Sequence, residues 1–143
     1  MLRSALFGGA LALSLATAAS AEVVKFQSDL TAAEENPATN SKGSGTIIGT
    51  LDTQTHKLDY TVTWSGLASP VTAAHFHGPA ERGKNAGVQV PIGGSNPESP
   101  VTGSATLSAE QQQQLVSGLW YVNVHTKNNP SGAIRGQLTA SHP

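Results

Sequence analysis

The stretch Lys57-Leu-Asp-Tyr-Thr-Val-Thr-Trp64 decides the fold class. Leu58, Tyr60, Val62 and Trp64 alternate with Lys57, Asp59, Thr61 and Thr63. Side chains two apart share one face of a strand, so this segment carries one apolar and one polar face. That is the pattern of a half-buried antiparallel strand, and Gly66 and Pro70 stop it. Leu119 to Thr126 repeats the pattern, with Trp120, Val122 and Val124 on one face and Tyr121, Asn123 and His125 on the other. Trp64 and Trp120 are the expected core anchors.

Working outward from these two segments, Val23–Ser28, Thr46–Leu51, Val71–His77, the alternating Val88, Val90 and Ile92, Val101–Leu107 and Ala133–Thr139 read as further short strands. Polar turn clusters separate them: Thr31–Gly43, Asp52–Thr55, Gly78–Gly87, Gly93–Pro100 and Lys127–Gly132. One short helix is predicted. Ser108 is placed to cap it, Gln111 to complete a capping box, Leu115 and Val116 to be buried, and Gly118 to stop it. The run Gln111–Gln114 reads as its solvated face. About seven or eight short strands with one short helix predict an all-β, antiparallel, Greek-key-like sandwich or flattened barrel.

The chain has 143 residues, no cysteine and a formal net charge of −1. Without a basic patch, nucleic acid is not an expected partner. The N-terminus reads as a secretory leader. Arg3 is its positive end, Ala5–Ala18 its small apolar stretch, and Ala19-Ser20-Ala21 its A-x-A cleavage site. The expected organisation is a signal peptide over 1–21 and one β domain over 22–143. No membrane span is expected after leader removal, and the expected location is periplasmic or secreted. A fold exported without cysteine must rest on its core, its strand ladders and bound metal if there is any.

His75-Phe76-His77 carries the functional signal. On a strand the two imidazoles share a face and Phe76 points the other way, into the core. Gly78-Pro79 ends the strand, and the polar loop Gly78–Gly87 leaves directly from the pair, so it can fold back over them. His125 lies on the polar face of its own strand. If the two strands are neighbours, three imidazoles converge on the outer or loop-covered side. Three nitrogens without a thiolate suit copper, with zinc as the alternative. The rival reading is a set of solvated or hydrogen-bonded histidines. His56, in a turn, and His142, in the tail, are expected to be solvated. Arg135 lies on the polar face of the last strand. It reads either as an anion-guiding cation near His125 or, more plainly, as a surface ion pair with Glu81. No Ser-His-Asp arrangement, acid/base carboxylate pair or phosphate-binding glycine loop is present.

Three segments, Leu67–Ala80 (LASPVTAAHFHGPA), Leu119–Thr126 (LWYVNVHT) and Asn129–Leu138 (NPSGAIRGQL), resemble the CHRD domain family, named after the repeats in chordin. The segment Ala33-Glu-Glu-Asn-Pro37 is similar to the family's early loop. The resemblance spans about Val23 to Thr139 and implies an extracellular or periplasmic β domain. Ala133 stands where many members carry a glutamate. The same histidines resemble, more distantly, the copper site of the Cu,Zn superoxide dismutase sandwich. That likeness implies His75, His77 and His125 as copper ligands and Arg135 as the nearby arginine. With no cysteine pair and no second set of ligands, it implies a copper-only site at most. Three functions follow as expectations: an exported, non-catalytic copper-holding or delivery domain, a copper-only dismutase-like enzyme, and an exported protein-binding module without metal.

Overall fold

The computed structural model describes residues 9–16 and 20–141. Arg3 and Ala19 of the expected leader, and His142, lie outside the described residues. Among those described, no helix is long and apolar enough to cross a membrane.

Nine strands form two antiparallel sheets. They are β1 (Val23–Leu30), β2 (Ser44–Asp52), β3 (Lys57–Ser65), β4 (Val71–His77), β5 (Val88–Pro91), β6 (Val101–Thr106), β7 (Tyr121–Thr126), β8 (Ile134–Gln137) and β9 (Thr139–Ser141). One sheet has the order β6-β3-β2-β1-β9 and the other β5-β4-β7-β8. The chain first builds a three-strand meander. It then crosses back and forth between the sheets, as an all-β sandwich requires.

Alternation fills the space between the layers. Leu58, Tyr60 and Val62 of β3 meet Phe76 of β4 and Val122 and Val124 of β7, and all are buried. The Tyr60 and Phe76 rings pack edge to face with centroids 5.0 Å apart. Trp120 is fully buried, as its pattern predicts, whereas Trp64 is only partly buried against the core. Each fully buried large apolar side chain contributes about 1.5–3 kcal/mol.

Three departures from the sequence reading have local causes. The last predicted strand is two: Leu138 plunges into the core, and the chain switches sheets there, so β8 and β9 lie in opposite layers. Val88 is exposed rather than inward, because a bulge between Phe76 and His77 skips Gln89 and pairs His77 with Val88. The glutamine run is not a solvated face. On the helix α1 (Ala109–Val116), Gln111 donates to Gln89 Oε1, Gln112 to the Thr53 carbonyl, and Gln114 accepts from the Trp120 indole. These amides tie the helix across the end of the sandwich. Its cap is as the sequence predicts: Gln111 N donates to Ser108 Oγ at 3.1 Å and Ser108 N to Gln111 Oε1 at 2.9 Å.

The outer face of the four-stranded sheet is covered. The segment after β1, including a 3₁₀ turn at Ala32–Glu34, crosses over it and meets the Gly78–Gly87 loop. Asn36 donates to the Gly83 carbonyl at 2.8 Å, Asn85 to the Asn36 carbonyl at 2.8 Å, and Arg82 pairs with Glu34. Thr31 and Arg135 exchange backbone hydrogen bonds of 2.9 and 3.0 Å, which close this edge of the sandwich. A polar layer is thereby buried outside the apolar core.

Candidate metal centre

Antiparallel pairing of β4 with β7 places His77 opposite Tyr121, His75 opposite Asn123 and Ala73 opposite His125. All six share the covered face by the period-two rule. His75 and His125 are diagonal neighbours, a spacing that long side chains bridge. The small Ala73 opposite His125 leaves room for its ring to lean toward His75.

The three imidazoles converge. Ring centroids are 4.9 Å apart for His75–His125, 5.4 Å for His75–His77 and 6.0 Å for His77–His125. One ring nitrogen from each lies within 4.8 Å of the others. Among the described residues, this is the group of histidines and carboxylates close enough to share an ion.

The partners fix which nitrogen of each ring faces the centre. His77 Nδ1 lies 3.0 Å from the Ala86 carbonyl, and His125 Nδ1 lies 2.8 Å from the Pro130 carbonyl. A carbonyl only accepts, so both Nδ1 atoms carry the proton and both Nε2 atoms present a lone pair. His75 Nδ1 sits 3.1 Å from His125 Nε2 and therefore donates to it. His77 Nε2 is buried and has no hydrogen-bond partner. Two carbonyls thus act as outer partners that orient ligand rings, the usual support of metal-bound histidine.

Burial sets the protonation. Desolvation, reinforced by His125 and His77, pushes the His75 imidazole down to about 4. Burial likewise lowers His77, against the opposing pull of the Ala86 carbonyl. Neutral imidazole is the metal-binding form, so an ion arriving near neutral pH meets no cationic proton on either ring.

Tyr121 packs flat on His77, with centroids 4.9 Å apart and planes 4° from parallel. Its hydroxyl donates to the Ala86 carbonyl at 3.2 Å and accepts from Ala86 N at 3.1 Å. The Arg135 guanidinium lies 3.5 Å from the centroid of the Tyr121 ring. Arg135 is 1% exposed and donates to Asn85 Oδ1 and Gln137 Oε1. This corrects the expectation of a surface ion pair. Arg135 reaches the Glu81 backbone carbonyl, not its carboxylate, and it stands across β8 from Asn123, not from His125. Its guanidinium is buried beneath the loops.

His56 lies away from the centre and bonds Gln112 Oε1 through Nδ1 at 2.7 Å. It is thus held by the helix rather than solvated. The sequence reading passed over two buried residues at the site, Asn123 and Glu35. Asn123 had a signal, since it sits between Tyr121 and His125 on the face that carries the site. Glu35 lies in the Ala33–Pro37 segment likened to the family's early loop, but that polar stretch has no periodicity to mark it as buried. Burial pushes the Glu35 carboxyl up to about 7, with Asn123 and Arg135 opposing the rise.

Searches of curated proteins and of solved structures each returned no match to this chain. The family model described as CHRD domain matches residues 26–138, from β1 to the turn between the last two strands. That span takes in all three histidines and the covering loops, and CHRD domains are typically extracellular modules. The chain belongs to the CHRD domain family.

Proposed function

We propose that this protein is an exported metal-holding domain that binds one copper ion, with zinc as the alternative, through His75, His77 and His125. The observation that carries the reading is the buried, partnerless His77 Nε2 facing two further imidazoles whose outer nitrogens are tied or neutral. An orphaned acceptor in a buried place costs about 1–3 kcal/mol, which a bound cation would offset. Two metal–nitrogen bonds of about 2.0–2.1 Å at a tetrahedral angle set donors roughly 3.3 Å apart. The His75–His125 pair stands at 3.1 Å, so it needs little adjustment to share an ion. Binding would displace the proton that His75 Nδ1 shares with His125. Three nitrogens and no thiolate favour Cu(II) among divalent first-row ions.

Holding or delivery is favoured over dismutase-like turnover because Arg135, the cation that turnover would ask to attract superoxide, is enclosed. Export is inferred from the leader-like N-terminus and from family membership. The test is titration calorimetry of the metal-free protein with Cu(II) and Zn(II). We expect one ion per chain, and loss of binding in the His75→Ala, His77→Ala double variant. Undiminished affinity in that variant would remove the reading.

A further inference from the structure

Behind the imidazoles lies a second buried group that three-nitrogen binding leaves unused. Asn123 is 3% exposed and stands opposite His75 on the neighbouring strand. Its Oδ1 is buried and has no hydrogen-bond partner, the same condition as His77 Nε2. The other end of the amide, Nδ2, lies on the side of Glu35, whose own Oε1 is likewise buried without a hydrogen-bond partner.

Gly132 locks this arrangement. Its φ is +126°, and a Cβ there would collide with both Glu35 Oε1 and Asn123 Nδ2. Nδ2 is thus on the Glu35 and Gly132 side of the amide, and Oδ1 is turned away from them. A buried carbonyl oxygen with no donor to meet, beside three convergent nitrogens, is a preformed seat for a cation.

Resting on the three-imidazole reading, we propose that Asn123 Oδ1 is the fourth donor of the site, and that Glu35 and Gly132 aim it. An amide oxygen is a hard donor. Adding it to three imidazoles biases the site toward divalent Cu(II) or Zn(II) and away from Cu(I). Asn123 is then the residue that selects oxidation state, and Glu35 is a positioning residue acting through it.

The experiment compares wild type with Asn123→Leu and Asn123→Asp. Cu(II) and Cu(I) affinities are measured by chelator competition, and Cu(II)-loaded protein is examined by electron paramagnetic resonance. Asn123→Leu should lose roughly tenfold or more in Cu(II) affinity, on the scale of a lost site group, with Cu(I) affinity much less affected. Asn123→Asp keeps the shape, so it remains informative if the leucine variant misfolds. It should retain Cu(II) and shift g∥ and the copper hyperfine coupling, because a carboxylate replaces an amide. Wild-type Cu(II) affinity in Asn123→Leu, or an unchanged spectrum in Asn123→Asp, overturns the fourth-donor assignment and leaves the histidine site standing. Failure of wild type itself to bind either ion overturns the histidine site and this assignment together.

Discussion

At the residue scale, two groups in the site pull the pH dependence of the metal-free fold in opposite directions. Burial lowers the His75 folded value from 6.5 to about 4, so between those values the unfolded chain binds more protons. Its stabilisation is complete above 6.5 and is lost as pH falls through 4. Burial raises the Glu35 folded value from 4.5 to about 7, so there the folded chain binds more protons. Its stabilisation is complete below 4.5 and is lost as pH rises through 7. Glu35→Gln removes only the second slope. Urea unfolding with a chelator present should therefore show the variant gaining on wild type as pH rises from about 5 to 7, then levelling off. The His75 contribution is common to both proteins and cancels in the difference. A difference flat across this range would mean that Glu35 ionises as it does in water. Glu35 also marks where sequence reading stops. His75, His77 and His125 were legible because strand periodicity fixes their faces. The burial of Glu35 and Arg135 is set by loops crossing a sheet, and no local pattern encodes that crossing.

At the element scale, β3 was legible because apolar and polar residues alternate over its full length, β7 because Val122 and Val124 alternate with Asn123 and His125, and β4 through its His75-Phe76-His77 end. The division of the chain end into β8 and β9 was not. Ile134, Gly136 and Leu138 keep one alternation through the switch, so the pattern is the same whether or not the sheet changes. The helix was legible through its cap, since Ser108 and Gln111 are three apart and precede the buried Leu115. Its anchoring was not, because glutamine reads as solvated unless its partners are known. Ser108→Ala should cost about 1 kcal/mol in urea unfolding, and Ser108→Gly only a few tenths, as expected of an N-cap. Both variants should bind Cu(II) as wild type does, because the helix packs at Trp120 and Gln89 rather than on the histidines. A metal-binding defect in either would mean that the helix end and the site are coupled.

At the scale of the whole molecule, the two layers have different sources of cohesion. The space between the sheets is apolar and continuous, whereas the outer face of β4, β7 and β8 is a buried polar layer under two loops. An ion on the three histidines would join β4 to β7. Through Ala86 and Pro130 it would also brace the loop after each strand. Because the unfolded chain cannot hold three rings together, binding would stabilise the native state by about 2.7 kcal/mol at a free concentration a hundred times Kd. In a domain of this size that corresponds to roughly 10 °C in Tm. Zn(II) is the cleaner probe, since it does not oxidise the chain. Calorimetric scans should show the rise in wild type and none in the His75→Ala, His77→Ala variant. Hydrogen exchange should locate the gain in β4, β7 and the loops 31–43, 78–87 and 127–132, and leave the β6-β3-β2-β1-β9 sheet near its metal-free protection. Protection spread evenly over both sheets would place the ion's effect on global unfolding alone, and the covering loops would then not be braced by the site.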